Sequence, residues 1–209
     1  MGAMLISNKP KGRMMKTAKL IPAILLGFLA LPVFAQTASS ELQRDVNQQQ
    51  RIENGLKSGQ LTTREAAKLE REESRVDRAQ ANALKDGNLS DAEKNRIQRM
   101  QNRTSRDINK EAHDAQTGNP NSASSKRMQA DVQRNVNQEK RIQAGINNGS
   151  LTNREASKLE RGQAANDRKE ARAGRDGRIN AREQGRIQRS ENQQSRRIRN
   201  EKQDGQHRS

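Results

Sequence analysis

The chain has no cysteine, tryptophan or tyrosine, and only two phenylalanines and four prolines in 209 residues. Each shortage removes options. Without cysteine, no disulfide can staple a small core and no thiol can serve catalysis. Both phenylalanines, Phe28 and Phe34, sit near the N-terminus, so the remainder has no ring to stack on a base. Two histidines, His113 and His207, leave little material for a base–nucleophile pair, and no enzyme activity is expected. Apolar residues are sparse too: residues 36–209 contain 20 Leu, Ile and Val in 174 positions. Burying one such side chain gives roughly 1.5–3 kcal/mol, and ordering one residue costs about 1.5 kcal/mol. A wide globular core is therefore excluded. The chain is either partly disordered or made of long helices meeting along narrow seams.

What is present begins with an export signal. Lys16 and Lys19 precede an apolar run, residues 20–31, and Val33-Phe34-Ala35 offers small residues for cleavage after Ala35. That run is too short to span a bilayer, so no transmembrane segment is expected after cleavage. Met14 or Met15 reads as the start of this signal. No cysteine follows for lipidation, and the expected address is periplasmic or secreted.

The remainder says one thing twice. Residues 38–116 align with residues 128–206 at a constant offset of 90, with 36 of 79 positions identical. Within each copy a motif Gly-x-[Leu/Ile]-[Ser/Thr/Asn]-x-x-Glu recurs 28 residues on, beginning at Gly59, Gly87, Gly149 and Gly177. The Ser, Thr or Asn suits a helix N-cap and the Glu completes a capping box. The preceding Leu or Ile suits a hydrophobic staple, and the Gly suits a left-handed helix end. With apolar spacings of three and four between the motifs, the pattern predicts an all-α fold of two three-helix antiparallel repeats. The expected domains are residues 1–35 (extension and cleaved signal), 38–116 (repeat 1), 117–127 (flexible linker around Pro120) and 128–206 (repeat 2). Asn166 and Gly174 stand where the first copy has Val76 and Leu84, so the middle helix of repeat 2 should be the weaker.

Charge is positive and uneven. Beyond residue 35 the net charge is 36 − 25 = +11. Residues 38–116 carry 15 basic and 14 acidic residues; residues 128–209 carry 19 and 11. Repeat 2 is therefore the expected contact for an anionic envelope component. The candidate residues are Arg168, Lys169, Arg172, Arg175, Arg178, Arg182, Arg186 and Arg189. Export and the lack of stacking rings argue against nucleic acid as a physiological partner. A homodimer would help a thin core. The many carboxylates sit among Arg and Lys at helical spacing, as on a solvated face.

Two junctions look like the second half of an EF-hand loop. Asp86, Gly87, Leu89 and Glu93 match loop positions 5, 6, 8 and 12, as do Asp176, Gly177, Ile179 and Glu183. Positions 1 and 3 are Asn82 and Leu84 in the first and Arg172 and Gly174 in the second, a poor ligand set. No cofactor is expected beyond calcium at Asp86, Glu93, Asp176 and Glu183, and capping explains the same glutamates without metal. Through these junctions the chain resembles exported bacterial helical-repeat proteins of unknown function carrying Asp-Gly-x-[Leu/Ile]-x-x-x-Glu. The runs Leu61-Thr62-Thr63-Arg64-Glu65 and Leu151-Thr152-Asn153-Arg154-Glu155 are also similar to the Leu-Thr-x-x-Gln motif of Spy/CpxP-type periplasmic chaperones. That likeness implies unfolded protein as an alternative partner.

Overall fold

Helix boundaries follow from local chemistry. Thr62, Ser90, Thr152 and Asn180 each accept from the backbone N–H of the glutamate three residues on. Each of those glutamates takes the cap's own N–H in return, so all four capping boxes are formed. Gly59, Gly87, Gly149 and Gly177 have φ between 75° and 84°, and no other described residue has positive φ. The left-handed turn lets the chain reverse where a Cβ would be strained.

The computed structural model describes residues 33–87 and 89–206. The expected export signal lies outside them as far as residue 32. Six α-helices follow: α1 (Val33–Ser58), α2 (Thr63–Leu84), α3 (Asp91–Glu111), α4 (Ala123–Asn147), α5 (Asn153–Ala173) and α6 (Ala181–Gln203). A 3₁₀ turn, Gly174–Asp176, prolongs α5. There is no strand among the described residues, and none of their helices is long and apolar enough to cross a membrane.

The helices pair across the two copies. The most extensive packing is α2 on α5, followed by α1 on α4. α3 lies on α1 and α2, and α6 on α4 and α5. The copies thus share one compact unit instead of forming two domains on a flexible tether. Their connector is held in place: Gly118 N–H donates to Gly59 O at 2.8 Å, and Ser122 caps α4 by accepting from Ser125 N–H. That cap starts α4 at Ala123, inside the stretch the composition suggests is a linker.

Small residues make the central pairing close. Ala67, Ser74 and Ala81 recur every seven residues on α2, and Ser157, Ala164 and Ala171 do so on α5; all six are buried. Ser157 Oγ donates to Ala81 O across the seam at 2.6 Å. The outer helices are pinned identically in both copies. Gln48 Nε2 donates to Gln101 O and Ser105 Oγ, and Arg51 to Ser105 O. Gln138 and Arg141 repeat these bonds to Glu191 O, Ser195 Oγ and Ser195 O.

The core is layered along the bundle. One end is apolar, with Ile52, Leu56, Leu61, Leu69, Met128, Val132 and Ile187 among its members. The other end is apolar too, with Leu42, Leu84, Ile142, Ile146, Leu159 and Ile198. Each of α1, α2, α4 and α5 runs from one apolar cluster to the other. The buried polar positions between them are Asp45 and Gln49, Glu70, Glu73, Asp77 and Gln80, Asn135 and Glu139, and Glu160, Gln163, Asp167 and Glu170. Every Leu, Ile and Val from Leu42 to Ile198 is buried except the partly buried Leu89. The scarce apolar residues thus close the two ends and leave polar groups in the middle.

Candidate functional site

Two features stand out, one outside and one inside. The outer one is a basic face. Arg64, Lys68, Arg71, Arg75, Arg78 and Lys85 follow alternating steps of four and three along α2, interrupted at Asn82. Arg154, Lys158, Arg161, Arg168, Arg172 and Arg175 follow the same steps along α5, interrupted at Ala165. Such spacing keeps them on one helix face. The small-residue seam then sets the two rows side by side. All are exposed except the half-buried Arg168.

The rows meet in shallow grooves. Arg78, Lys85, Arg161 and Arg168 line one; Arg64, Lys68, Arg71 and Arg175 line another. Burial, then Arg78 and Arg172, hold the Arg168 guanidinium below its ordinary pKa. Among the described residues only Lys68 of these twelve makes an ion pair, with Glu111 at 2.6 Å. The face is therefore a strip of crowded, mostly uncompensated cations. Its length, 22 residues of α2, corresponds to about 33 Å of helix.

The inner feature is acidic. Glu41, Asp45, Glu70, Glu73, Asp77, Asp131, Glu139, Glu160, Asp167, Glu170 and Glu191 are all buried, and no Lys, Arg or His is buried among the described residues. The solvated-face reading of these carboxylates is thus corrected. They point inward because α1, α2, α4 and α5 turn their basic or polar faces outward. Burial pushes Asp45 and Asp131 up to about 7, and Glu70 and Glu191 up to about 8. It drives Glu73, Asp77, Glu139, Glu160, Asp167 and Glu170 well above the usual carboxylate range. A charge removed from water without a partner is costly, so the neutral form is favoured.

Amides relieve part of this. Gln80 Nε2 donates to Asp45 Oδ2 at 2.5 Å and Gln101 Nε2 to Asp45 Oδ1 at 2.7 Å. Gln49 Nε2 donates to Glu70 at 3.1 Å, and Asn135 Nδ2 to Glu170 at 2.8 Å. At the rim Arg134 reaches Glu191 at 3.1 Å. Glu73 and Glu160 keep both carboxylate oxygens without a hydrogen-bond partner.

The eight basic residues singled out by repeat charge fall on different surfaces. Arg168, Arg172 and Arg175 join the α2–α5 face. Lys169 and Arg186 line a groove between α5 and α6, which Arg172 also borders. Arg178 lies in the loop before α6, and Arg182 and Arg189 are exposed on α6. Comparing repeat charges overlooked the row on α2, because buried acids cancel it in the sum. Eight of the 14 acids in residues 38–116 are buried, leaving 15 bases against six acids. In residues 128–206 seven of 11 are buried, leaving 18 against four. The four-three recurrence of Arg and Lys was a legible signal; which helices would lie together was not.

The half-loop residues stay apart. Glu93 accepts from Ser90 N–H and Ser90 Oγ, and Glu183 from Asn180 N–H, both within capping boxes. Asp176 accepts from Arg178 N–H. Asp86 is exposed at the preceding turn. None of the four belongs to a group of three acidic side chains close enough to share an ion among the described residues. Comparison of the chain with protein families, curated proteins and solved structures gives no match.

Proposed function

We propose that this protein is a non-enzymatic, exported binding protein whose α2–α5 face takes an extended anionic polymer of the bacterial envelope. One observation carries the reading: two basic rows, one from each copy, lie side by side along an antiparallel helix pair. A linear polyanion can follow such a strip and release counterions from it. Arg168, Arg172 and Arg175 contribute from repeat 2, and Arg64, Arg71 and Arg78 from repeat 1. Arg178, Arg182, Arg186 and Arg189 flank the strip and add to the positive field. The unfolded-protein alternative gains less support, since the described Leu, Ile and Val side chains are spent on the core.

The test is titration with polyphosphate across a salt series. Binding should weaken steeply as salt rises. Changing Arg71, Arg78, Arg161 and Arg168 to Gln should lower affinity at least about tenfold and flatten the salt slope. Changing Arg182, Arg186 and Arg189 should cost less. Equal affinity and slope in the four-residue variant would falsify the assignment of this face.

A further inference from the structure

The buried carboxylates play no part in polyanion binding, yet they are arranged. Glu70, Asp167 and Glu170 each present an oxygen within 4.8 Å of the other two, and so do Asp77, Glu139 and Glu160. All six are buried. Glu70 and Glu160 hold equivalent positions in the two copies, as do Asp77 and Asp167. Calcium binds oxygen at about 2.3–2.6 Å, so ligands on opposite sides of one ion stand about 4.6–5.2 Å apart. Both triads lie within that spread, so neither is too wide to share one ion.

A second observation is independent of the clustering. Glu73 is 1 % exposed, carries two unpartnered carboxylate oxygens and faces Asp45, Asp77, Glu70 and Glu139. Glu160, 0 % exposed, likewise has both carboxylate oxygens unpartnered. Unpaired buried polar groups are costly unless something satisfies them. No basic side chain is buried among the described residues to do so.

We propose that each triad holds one hard, oxygen-seeking divalent cation of calcium's class. The first site uses Glu70 from α2 with Asp167 and Glu170 from α5. Gln49 and Asn135 donate amide N–H bonds to its carboxylates, and turning either amide over would offer the ion a carbonyl oxygen. The second uses Asp77 from α2, Glu139 from α4 and Glu160 from α5, with Gln163 beside it. An all-oxygen ligand set without imidazole or thiolate suits calcium over softer metals. Because ligands come from both copies, the ions would bind only once α2, α4 and α5 have assembled. Binding is then coupled to folding.

The test uses the full chain stripped of metal with chelator and titrated with calcium chloride at pH 7.5, by calorimetry and by far-UV circular dichroism during heating. Expected are two calcium ions per chain and a clear rise in melting temperature, since a ligand preferring the folded state stabilises it. The paired variant Glu70→Gln with Glu160→Gln keeps side-chain shape. It should remain helical, melt above the stripped wild type, and no longer respond to calcium. Asp77→Asn with Asp167→Asn provides a second pair should the first fail to fold. Two results overturn the proposal. One is a stripped wild type that neither takes up calcium nor gains stability from it. The other is undiminished uptake by the folded variants, which moves the ion to the more exposed Glu65–Glu111–Asp114 group or the half-loops. Polyphosphate binding should be unchanged in these variants, so failure here and failure of the basic face are distinguishable.

Discussion

The two copies solve the same packing problem with different residues. At one end of the bundle Leu84 lies in a cluster that also contains Ala38. At the equivalent positions of the other end the sizes are exchanged, with Met128 for Ala38 and Gly174 for Leu84. A Cβ on Gly174 would come 2.6 Å from Met128 Cε and 2.8 Å from Ala67 Cβ. Gly174 is thus the space Met128 requires. Along the seams to the outer helices the contrast is chemical. Val76 packs with Ile97 and the partly buried Met100, whereas Asn166 accepts a hydrogen bond from Ser190 at 2.6 Å. In the middle, acid and amide trade places. Asp45, Glu73, Gln49, Gln80 and Gln101 of repeat 1 stand opposite Asn135, Gln163, Glu139, Glu170 and Glu191 of repeat 2. Divergence between copies has kept volume at the ends and spread charge in the centre, so neither copy carries the whole acidic load.

The largest expected effect probes that centre. A carboxyl whose folded titration is raised binds its proton more tightly in the native state than in the unfolded chain. Its contribution to stability is complete below about pH 4 and is lost as pH rises through the folded value. With Asp45 at about 7 and Glu70 at about 8, metal-free protein should be markedly more stable at pH 5 than at pH 8. Each pH unit of displacement is worth about 1.4 kcal/mol per group. Glu73→Gln, which gives repeat 1 the residue of repeat 2, should raise the metal-free melting temperature at pH 8 and change it little at pH 4. Urea unfolding at the two pH values checks this; a pH-independent midpoint would show that these acids titrate normally.

The exchange of sizes is tested next. Gly174→Leu, copying repeat 1, should destabilise by about 3 kcal/mol or more through overpacking. Met128→Ala in the same chain should recover part of that loss, and thermal melts of the single and double variants measure the coupling. The smallest change concerns the seam. Asn166→Val with Ser190→Met transplants the apolar contact of repeat 1 into repeat 2. It relieves the Asn166 amide nitrogen, which has no hydrogen-bond partner, and should gain about 1 kcal/mol. A loss of stability would mean that the Asn166–Ser190 bond outweighs apolar packing there.

These contrasts mark how far the sequence could be read. Four caps, four left-handed glycines and six helices were legible because each depends on residues within one turn of chain. The expected weakness of α5 at Asn166 and Gly174 was visible only as lost apolar residues. The partners that compensate, Ser190 and Met128, come from other helices. The carboxylates were misread for a related reason. An Arg, Lys and Glu mixture at helical spacing describes a solvated face and a half-buried one equally well. Only the seven-residue recurrence of Ala67, Ser74 and Ala81 hinted that something would press against α2.

By itself, then, the sequence determined the local outcome: where each helix starts, how each turn reverses, and that no wide core could form. Capping and turn formation are short-range, and composition limits the apolar area whatever the topology. The tertiary structure alone decided that α2 meets α5, that basic rows from separate copies become one face, and that acids from five helices share one interior. Those results depend on which surfaces exclude water together, a property of residues as much as 112 positions apart.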